Sequence, residues 1–139
     1  MDGLDRRREL EVFYRRYNER CNQHQFDSLG EFVADDVAVN GEVQGLPDYI
    51  AGLKRVVRAF PDYRWHLRHL LIDGQWLSAH FLDTGTHQGT FLGVPPTGTA
   101  VTIQEFAVYR LADGKIAEVW VTADNHQLFQ QIHQVAVCP

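Results

Sequence analysis

Glu105 is the side chain whose setting in the sequence most directly indicates chemistry. It lies in an alternating stretch, residues 100–111, whose odd-numbered positions share one face of a strand. The other side chains on that face are apolar or aromatic: Val101, Ile103, Ala107 and Tyr109. If this face lines a cavity, burial raises the pKa of Glu105 and makes it a candidate general base. If it is an outer face, Glu105 pairs with a cation across a subunit contact, and Gln104 on the opposite face is the alternative polar group.

His80 and Asp124 are the other candidates for acid–base catalysis. His80 lies in a predicted strand, 75–87, and can act as an acid or a base near neutral pH, although it also fits a half-buried sheet position. Asp83 follows three positions later and faces the opposite side unless a bulge intervenes. Asp124 ends the last predicted strand, where a carboxylate could assist catalysis. With Gln127 three residues on, it also resembles a capping box that opens a final helix.

Three further side chains could shape a pocket. Tyr17 belongs to the aromatic stripe of an amphipathic helix, 5–23, where a phenol can pack in the core or can line a pocket and hydrogen-bond. Asn40 precedes Gly41 and fits either a turn, because Asn tolerates left-handed backbone, or a pocket amide. Trp65 is the third, and its alternating run predicts four companions on the same face: Tyr63, Leu67, His69 and Leu71.

The composition argues against several other classes of function. A net charge of −5 disfavours general nucleic-acid binding. The seven histidines show no HxH, HxxxH or HExxH spacing and no serine lies in GxSxG, so we expect no metal site and no serine hydrolase. Cys21 and Cys138 form neither a disulfide framework nor a CxxC site. Without an apolar span or a signal sequence, the chain is predicted to be a cytoplasmic protein of one domain, 1–139, with no membrane partner.

The order of predicted elements defines the fold class. Helices are predicted over 5–23, 27–34, 47–60 and 125–133, and long strands over 63–71, 75–87, 100–111 and 115–123. Asp27 is the predicted cap of the second helix, and Asp35-Asp36 is interpreted as a turn before a short strand, 37–39. Asp73-Gly74 and Asp113-Gly114 are hairpin signals. The pattern predicts an α+β domain with helices on a curved antiparallel sheet, and a cone-shaped cavity between them that suits a small ligand.

Two strings carry a resemblance to a known family. They are GTHQGTFLGVPPTG at 85–98 and YRLADGKIAEVW at 109–120, supported by Phe60-Pro61-Asp62 and by FVADDV at 32–37. Over residues 8–133 the chain resembles the SnoaL-like polyketide cyclases of the NTF2-like superfamily. The resemblance implies cofactor-independent chemistry on a hydrophobic carbonyl substrate, in which a pocket carboxylate moves a proton. It also implies a homodimer paired through the convex sheet face, with an apolar patch that could include Phe106, Val108 and Trp120.

The last strand departs from the pattern of that family. The family usually has an aspartate directly after the tryptophan of this strand and often a histidine before it, whereas this chain has Val121 and Val119. Both valines are therefore expected on an apolar pocket wall, and the proton-moving group has to come from elsewhere. His87, in the first string, is interpreted as a structural residue that hydrogen-bonds the proline-rich loop.

Three functions stay open on the sequence. The first is a cyclase, isomerase or dehydratase of secondary metabolism, in which Glu105 or His80 moves the proton and Asp124 assists. In this hypothesis the pocket residues named above hold the substrate carbonyl. The second is a non-catalytic protein that binds an apolar small ligand, which the two valines favour. The third is an epoxide hydrolase of the same fold, which needs an Asp-Arg-Asp set that this sequence does not clearly supply.

Overall fold

The computed structural model describes residues 3–137, and their side chains as far as His133. The helices are α1 (Gly3–Asn22), α2 (Leu46–Ala59) and α3 (Asn125–Val137), with a short 3₁₀ helix at Phe26–Glu31. The strands are β1 (Val33–Val39), β2 (Glu42–Val43), β3 (Arg64–Asp73), β4 (Trp76–Thr86), β5 (Ala100–Ala112) and β6 (Lys115–Ala123). They form one sheet in the order β2-β1-β6-β5-β4-β3, which confirms the predicted α+β class.

The antiparallel meander from β3 to β6 follows the hairpin signals of the sequence. Asp113 and Gly114 have φ values of 53° and 76°, the left-handed conformation that the Asp-Gly signal predicts. Asn40 and Gly41 turn the chain in the same way between β1 and β2. β1 then pairs in parallel with β6, where Val39 lies opposite Val119, so the sheet is mixed rather than wholly antiparallel.

The structure corrects three predictions for residues 27–36. Asp35-Asp36 is not a turn but lies inside β1, where a register irregularity against β6 leaves both aspartates exposed to solvent. The second helix is the 3₁₀ helix, which has Gln25 at its N-cap position without a side-chain capping hydrogen bond, and Asp27 instead forms an ion pair with Lys54 at 2.7 Å.

A bulge corrects the predicted face of β3. The register against β4 shifts between Leu67 and His69, so alternation reverses part-way along the strand. Beyond the bulge, Leu70 packs against the core while His69 is exposed. Trp65, before the bulge, keeps its predicted inward position.

The core lies between the concave face of the sheet and the helices. One stripe of α1 is buried, with three- and four-residue spacing: Leu10, Tyr14, Tyr17 and Cys21. The odd-numbered residues of β4 and β5 meet this stripe. Burying one large apolar side chain of this kind stabilises the fold by about 1.5–3 kcal/mol. Among residues 3–137, no helix combines the length and apolar character needed to cross a bilayer.

Candidate active site

The concave face encloses a cavity that has two adjoining lobes. The tyrosine lobe, of about 180 Å³, is lined by four phenols: Tyr14, Tyr17, Tyr49 and Tyr109. The phenylalanine lobe, of about 220 Å³, is lined mainly by apolar side chains: Phe60, Phe91, Ile103 and Leu128. Both lobes share Leu53, Trp65, Glu105 and Val121 as lining residues. A carboxyl group therefore lies at the junction of two largely apolar spaces.

Strand alternation places Glu105 in this cavity. The neighbouring odd-numbered positions of β5, Ile103 and Ala107, are each only 2% exposed, while Gln104 and Phe106 are exposed on the other face. The structure thus selects the cavity alternative for Glu105 over the outer-face alternative. Because no position of β5 is bulged between Ala100 and Arg110, the alternation is uninterrupted through Glu105.

Asp83 on β4 is the second carboxyl of the site. Its side chain is fully buried, and the Tyr63 hydroxyl donates to Asp83 Oδ2 at 2.7 Å. No donor among the described residues reaches the other oxygen, Oδ1. Glu105 is a close titrating neighbour of Asp83, and a protonated Glu105 can supply the missing donor. The two carboxyl groups therefore form a pair that can share one proton.

Burial and mutual repulsion determine the protonation of this pair. Burial raises the pKa of Glu105 well above its ordinary value, and the charge of Asp83 raises it further. Burial also raises the pKa of Asp83, opposed by hydrogen bonding to Glu105 and Tyr63. Trp65 acts in the opposite sense on Glu105 by favouring its ionised form. A pair that retains one proton contains one acid and one base, and Glu105 is the member that lines the cavity.

Four of the five predicted pocket residues lie in the cavity. Tyr17, Trp65, Val119 and Val121 line the tyrosine lobe. The fifth, Asn40, is outside it, because its left-handed turn (φ 51°) directs the amide to the neighbouring strand. There Asn40 Oδ1 accepts a hydrogen bond from the Val121 amide at 2.9 Å. Asn40 is thus a turn residue, as one of the two sequence alternatives had it.

His80 lies on the convex face, away from the carboxyl pair. The inward positions of β4 are odd-numbered, including Phe81 and Asp83, so His80 points outward. Its Nδ1 is 2.9 Å from His69 Nδ1, and its ring stacks on Phe106. His80 and Asp83 lie on opposite faces of β4, as predicted, and it is Asp83 rather than His80 that lies on the concave face with Glu105.

Asp124 caps α3 rather than lining the cavity. Its Oδ1 accepts a hydrogen bond from the Gln127 amide at 3.0 Å, and the residue is exposed. Asp124 therefore occupies the helix-capping position that one of the two sequence interpretations gave it.

His87 is fully buried and contacts the proline-rich loop, where the Thr97 amide donates to His87 Nδ1 at 3.3 Å. This contact agrees with the structural interpretation of His87.

Asp83 and its hydrogen-bond partner Tyr63 were not among the site residues predicted from the sequence. The sequence did contain a signal for Asp83. It continues the odd-numbered face of Leu77, Ala79 and Phe81, and a carboxylate on that apolar face is as unexpected as Glu105 on the apolar face of β5.

Within residues 3–137, no group of three or more His, Cys, Asp or Glu side chains is placed to hold a metal ion.

Comparisons with known proteins agree with this architecture. The family model described as SnoaL-like polyketide cyclase matches residues 11–132. The chain is 27% identical over 112 residues to an aklanonic acid methyl ester cyclase of Streptomyces sp. strain C5, covering 75% of this chain and 69% of the relative. The corresponding cyclase of Streptomyces peucetius is also 27% identical over 112 residues, covering 75% of this chain and 77% of the relative. The crystal structure of a SnoaL-like polyketide cyclase from Agrobacterium tumefaciens superposes with a TM-score of 0.80 at 31% identity, covering 88% of this chain and 97% of that one.

Proposed function

This chain belongs to the SnoaL-like polyketide cyclase family, and we propose that it is a cofactor-independent cyclase or isomerase of secondary metabolism. Its substrate is a hydrophobic, polyketide-like molecule with at least two carbonyl groups. The observation that carries the proposal is Glu105, a carboxyl at the junction of the two largely apolar lobes that is paired with the buried Asp83. A buried carboxyl pair destabilises a fold, so its presence in this core is best explained by a functional role.

The proposed reaction is an intramolecular aldol closure. Ionised Glu105 removes a proton from a carbon next to a substrate carbonyl, and the electron pair of the broken C–H bond moves to the carbonyl oxygen as an enolate. The enolate carbon then bonds to the second carbonyl carbon. The resulting alkoxide takes the proton back from Glu105. Atoms and electrons balance without an added reactant, because the proton that Glu105 removes from the carbon is the one that it returns to the alkoxide.

Val119 and Val121 distinguish this chain from the usual pattern of its family. Both line the cavity wall, so they leave no acid or base on β6 at these positions. In the proposal the proton-moving group has therefore moved from β6 to the neighbouring strand β5. β5 and β6 are adjacent strands, since Glu105 pairs with Ala123 and Ala107 pairs with Val121. The proposed proton-moving group therefore lies on the strand next to the one that usually carries it.

The test is conversion of aklanonic acid methyl ester, the compound in the names of the two cyclase relatives. Cyclisation gives an isomer of unchanged mass that chromatography separates. Glu105→Gln keeps the shape of the side chain but cannot accept the proton, so the rate is expected to fall by roughly 10²- to 10⁴-fold. Asp35→Asn, the same type of change at an exposed position of β1, is the control and is expected to keep its rate.

Two results would contradict the proposal. One is a Glu105→Gln variant that converts the ester as fast as the wild type. The other is a wild type that binds the ester without converting it, which would favour the non-catalytic ligand-binding alternative. The epoxide hydrolase alternative gains no support, since the cavity lining contains no arginine among the described residues.

We also propose that two copies pair through the convex face. Exposed aromatic and aliphatic side chains cluster there: Trp76, Phe106 and Val108, with Trp120 stacked on Trp76. Phe106 is 53% exposed, and burying it against a second copy would remove this apolar surface from water. Phe106→Asp is expected to halve the mass measured by light scattering, whereas an unchanged mass would place the contact elsewhere.

A further inference from the structure

The four tyrosines of the tyrosine lobe form two hydroxyl pairs. The Tyr14 hydroxyl donates to the Tyr109 hydroxyl at 2.8 Å. The Tyr17 and Tyr49 hydroxyls form a second, shorter hydrogen bond, in which either can be the donor. The rings pack against one another, with 5.0 Å between the Tyr14 and Tyr109 centroids. Residues from α1, α2 and β5 thus bring four phenol groups into one small space.

A count of protons shows that these hydroxyls are incompletely satisfied. Each phenol has one proton to donate, and a hydrogen bond between two phenols uses only one of the two. One O–H in each pair therefore has no oxygen or nitrogen acceptor among the described residues, and the further partner of Tyr17 is the sulfur of Cys21, a weak acceptor. Ionisation does not remove these protons, because burial raises the pKa of all four tyrosines above the ordinary value. Buried donors of this kind are normally satisfied.

We propose that the tyrosine lobe is a subsite for carbonyl oxygens, in which the spare O–H of each phenol pair donates to a ketone or ester oxygen of the ligand. This inference rests on the proposed function and names the orientation of its substrate. The oxygenated end lies among the tyrosines, and the apolar end lies in the phenylalanine lobe.

The position of Glu105 gives this orientation a chemical consequence. Glu105 lies at the junction of the lobes, near enough to Tyr14, Tyr49 and Tyr109 for its charge to act on each phenol. When Glu105 takes a proton from the carbon, its negative charge passes to the carbonyl oxygen. The phenols stay neutral and donate hydrogen bonds to this negatively charged oxygen. Hydrogen bonds of this kind stabilise an enolate.

Binding of two unreactive, isosteric probes tests the subsite without any turnover. 2-Acetylnaphthalene has the acceptor oxygen, and 2-isopropenylnaphthalene has a CH₂ group in its place. Calorimetry is expected to show about 3- to 10-fold tighter binding of the ketone to the wild type. The double variant Tyr17→Phe/Tyr49→Phe removes both hydroxyls of the more accessible pair and is expected to lose part of this preference, because the Tyr14–Tyr109 pair still offers one O–H. Its affinity for the alkene should stay unchanged.

Single variants separate hydrogen bonding from packing. In Tyr17→Phe, Tyr49 loses its partner but keeps an O–H that can donate to the ketone, so the preference is expected to persist in part. The carbonyl stretching band of bound 2-acetylnaphthalene gives a measurement on the wild type alone, and should lie at lower wavenumber than in an apolar solvent. This infrared measurement tests the subsite even if the double variant does not fold.

The proposal is overturned by an equal affinity of the wild type for both probes, by an unshifted carbonyl band, or by a folded double variant with the full preference. Glu105→Gln distinguishes failure of the subsite from failure of the proposed function. A variant that keeps the ketone preference but turns over like the wild type rejects Glu105 as the base and leaves the subsite standing. A wild type without the preference that nevertheless loses turnover on Glu105→Gln rejects only the subsite.

Discussion

The two faces of strands β4 and β5 carry titratable residues in opposite settings. On the concave face Asp83 and Glu105 are enclosed by aromatic walls, and burial raises both pKa values. On the convex face His80 lies beside Gln104 and Phe106 in solvent reach. The sequence left Glu105 and His80 as alternatives for moving the proton, whereas enclosure in the cavity favours Glu105. The difference indicates that enclosure in a cavity, and not the ordinary pKa of a side chain, is the better guide to the candidate groups proposed here.

Among the changes that compare the two faces, Asp83→Asn is expected to have the largest effect. Asp83→Asn removes the negative charge beside Glu105, so the pKa of Glu105 falls toward its ordinary value and Glu105 becomes a weaker base. We expect the rate of ester conversion to drop by about 10- to 100-fold. The acidic limb of the pH–rate profile should also move to lower pH, because Glu105 ionises more easily. His80→Ala should keep the rate within about twofold and leave the profile in place.

The comparison between faces fails if His80→Ala is the more damaging change. It also fails if Asp83→Asn lowers the rate without moving the pH profile, because that result would describe a structural role for Asp83 alone. Thermal unfolding of both variants shows whether either effect comes from a partly unfolded population.

A second prediction concerns stability as a function of pH. A carboxyl whose folded pKa is raised binds its proton more tightly in the folded state, so folding stability decreases as pH rises. For Glu105 this decrease begins near the ordinary value of 4.5 and continues up to its raised pKa. One such group contributes a slope of at most about 1.4 kcal/mol per pH unit. Urea unfolding of Glu105→Gln between pH 4.5 and 8 should show a flatter curve than that of the wild type, and an equally steep curve would contradict the burial argument.

The smallest expected effect belongs to a carboxylate outside the cavity. Asp124→Ala removes the side-chain acceptor for the Gln127 amide and should cost about 1 kcal/mol of stability. Asp124→Asn retains an acceptor and should recover most of it. Ester conversion should be unchanged in both variants after correction for folded protein. A large loss of rate in either would return Asp124 to the list of catalytic groups.

The meander was predictable because its signals are local. Asp73-Gly74 and Asp113-Gly114 determine two hairpins within a few residues of sequence, and the predicted bounds of β6, 115–123, match the observed ones. The apolar stripe of α1 is equally local. These features need no knowledge of distant parts of the chain, so composition and periodicity suffice for them.

The faces and edges of the sheet were less predictable because they depend on contacts between distant segments. Alternation grouped Glu105 correctly with its neighbours, but only packing of α1 and α2 shows that this face is the inner one. The bulge after Leu67 has no clear marker in the sequence, and it moved His69 to the side of His80. Asp83 was placed on the right face relative to His80 but was not recognised as the partner of Glu105.

The parallel pairing of β1 with β6 has a consequence for the order of folding. Val39 lies opposite Val119, eighty positions later in the chain. The hairpins of β3 to β6 close short loops and can form early, whereas β1 has no place in the sheet until β6 exists. During synthesis, α1 and β1 leave the ribosome long before their partner strand is made. We therefore expect the binding cavity to be completed in the last step of folding, and an N-terminal fragment ending before β6 to expose the apolar stripe of α1 to other chains.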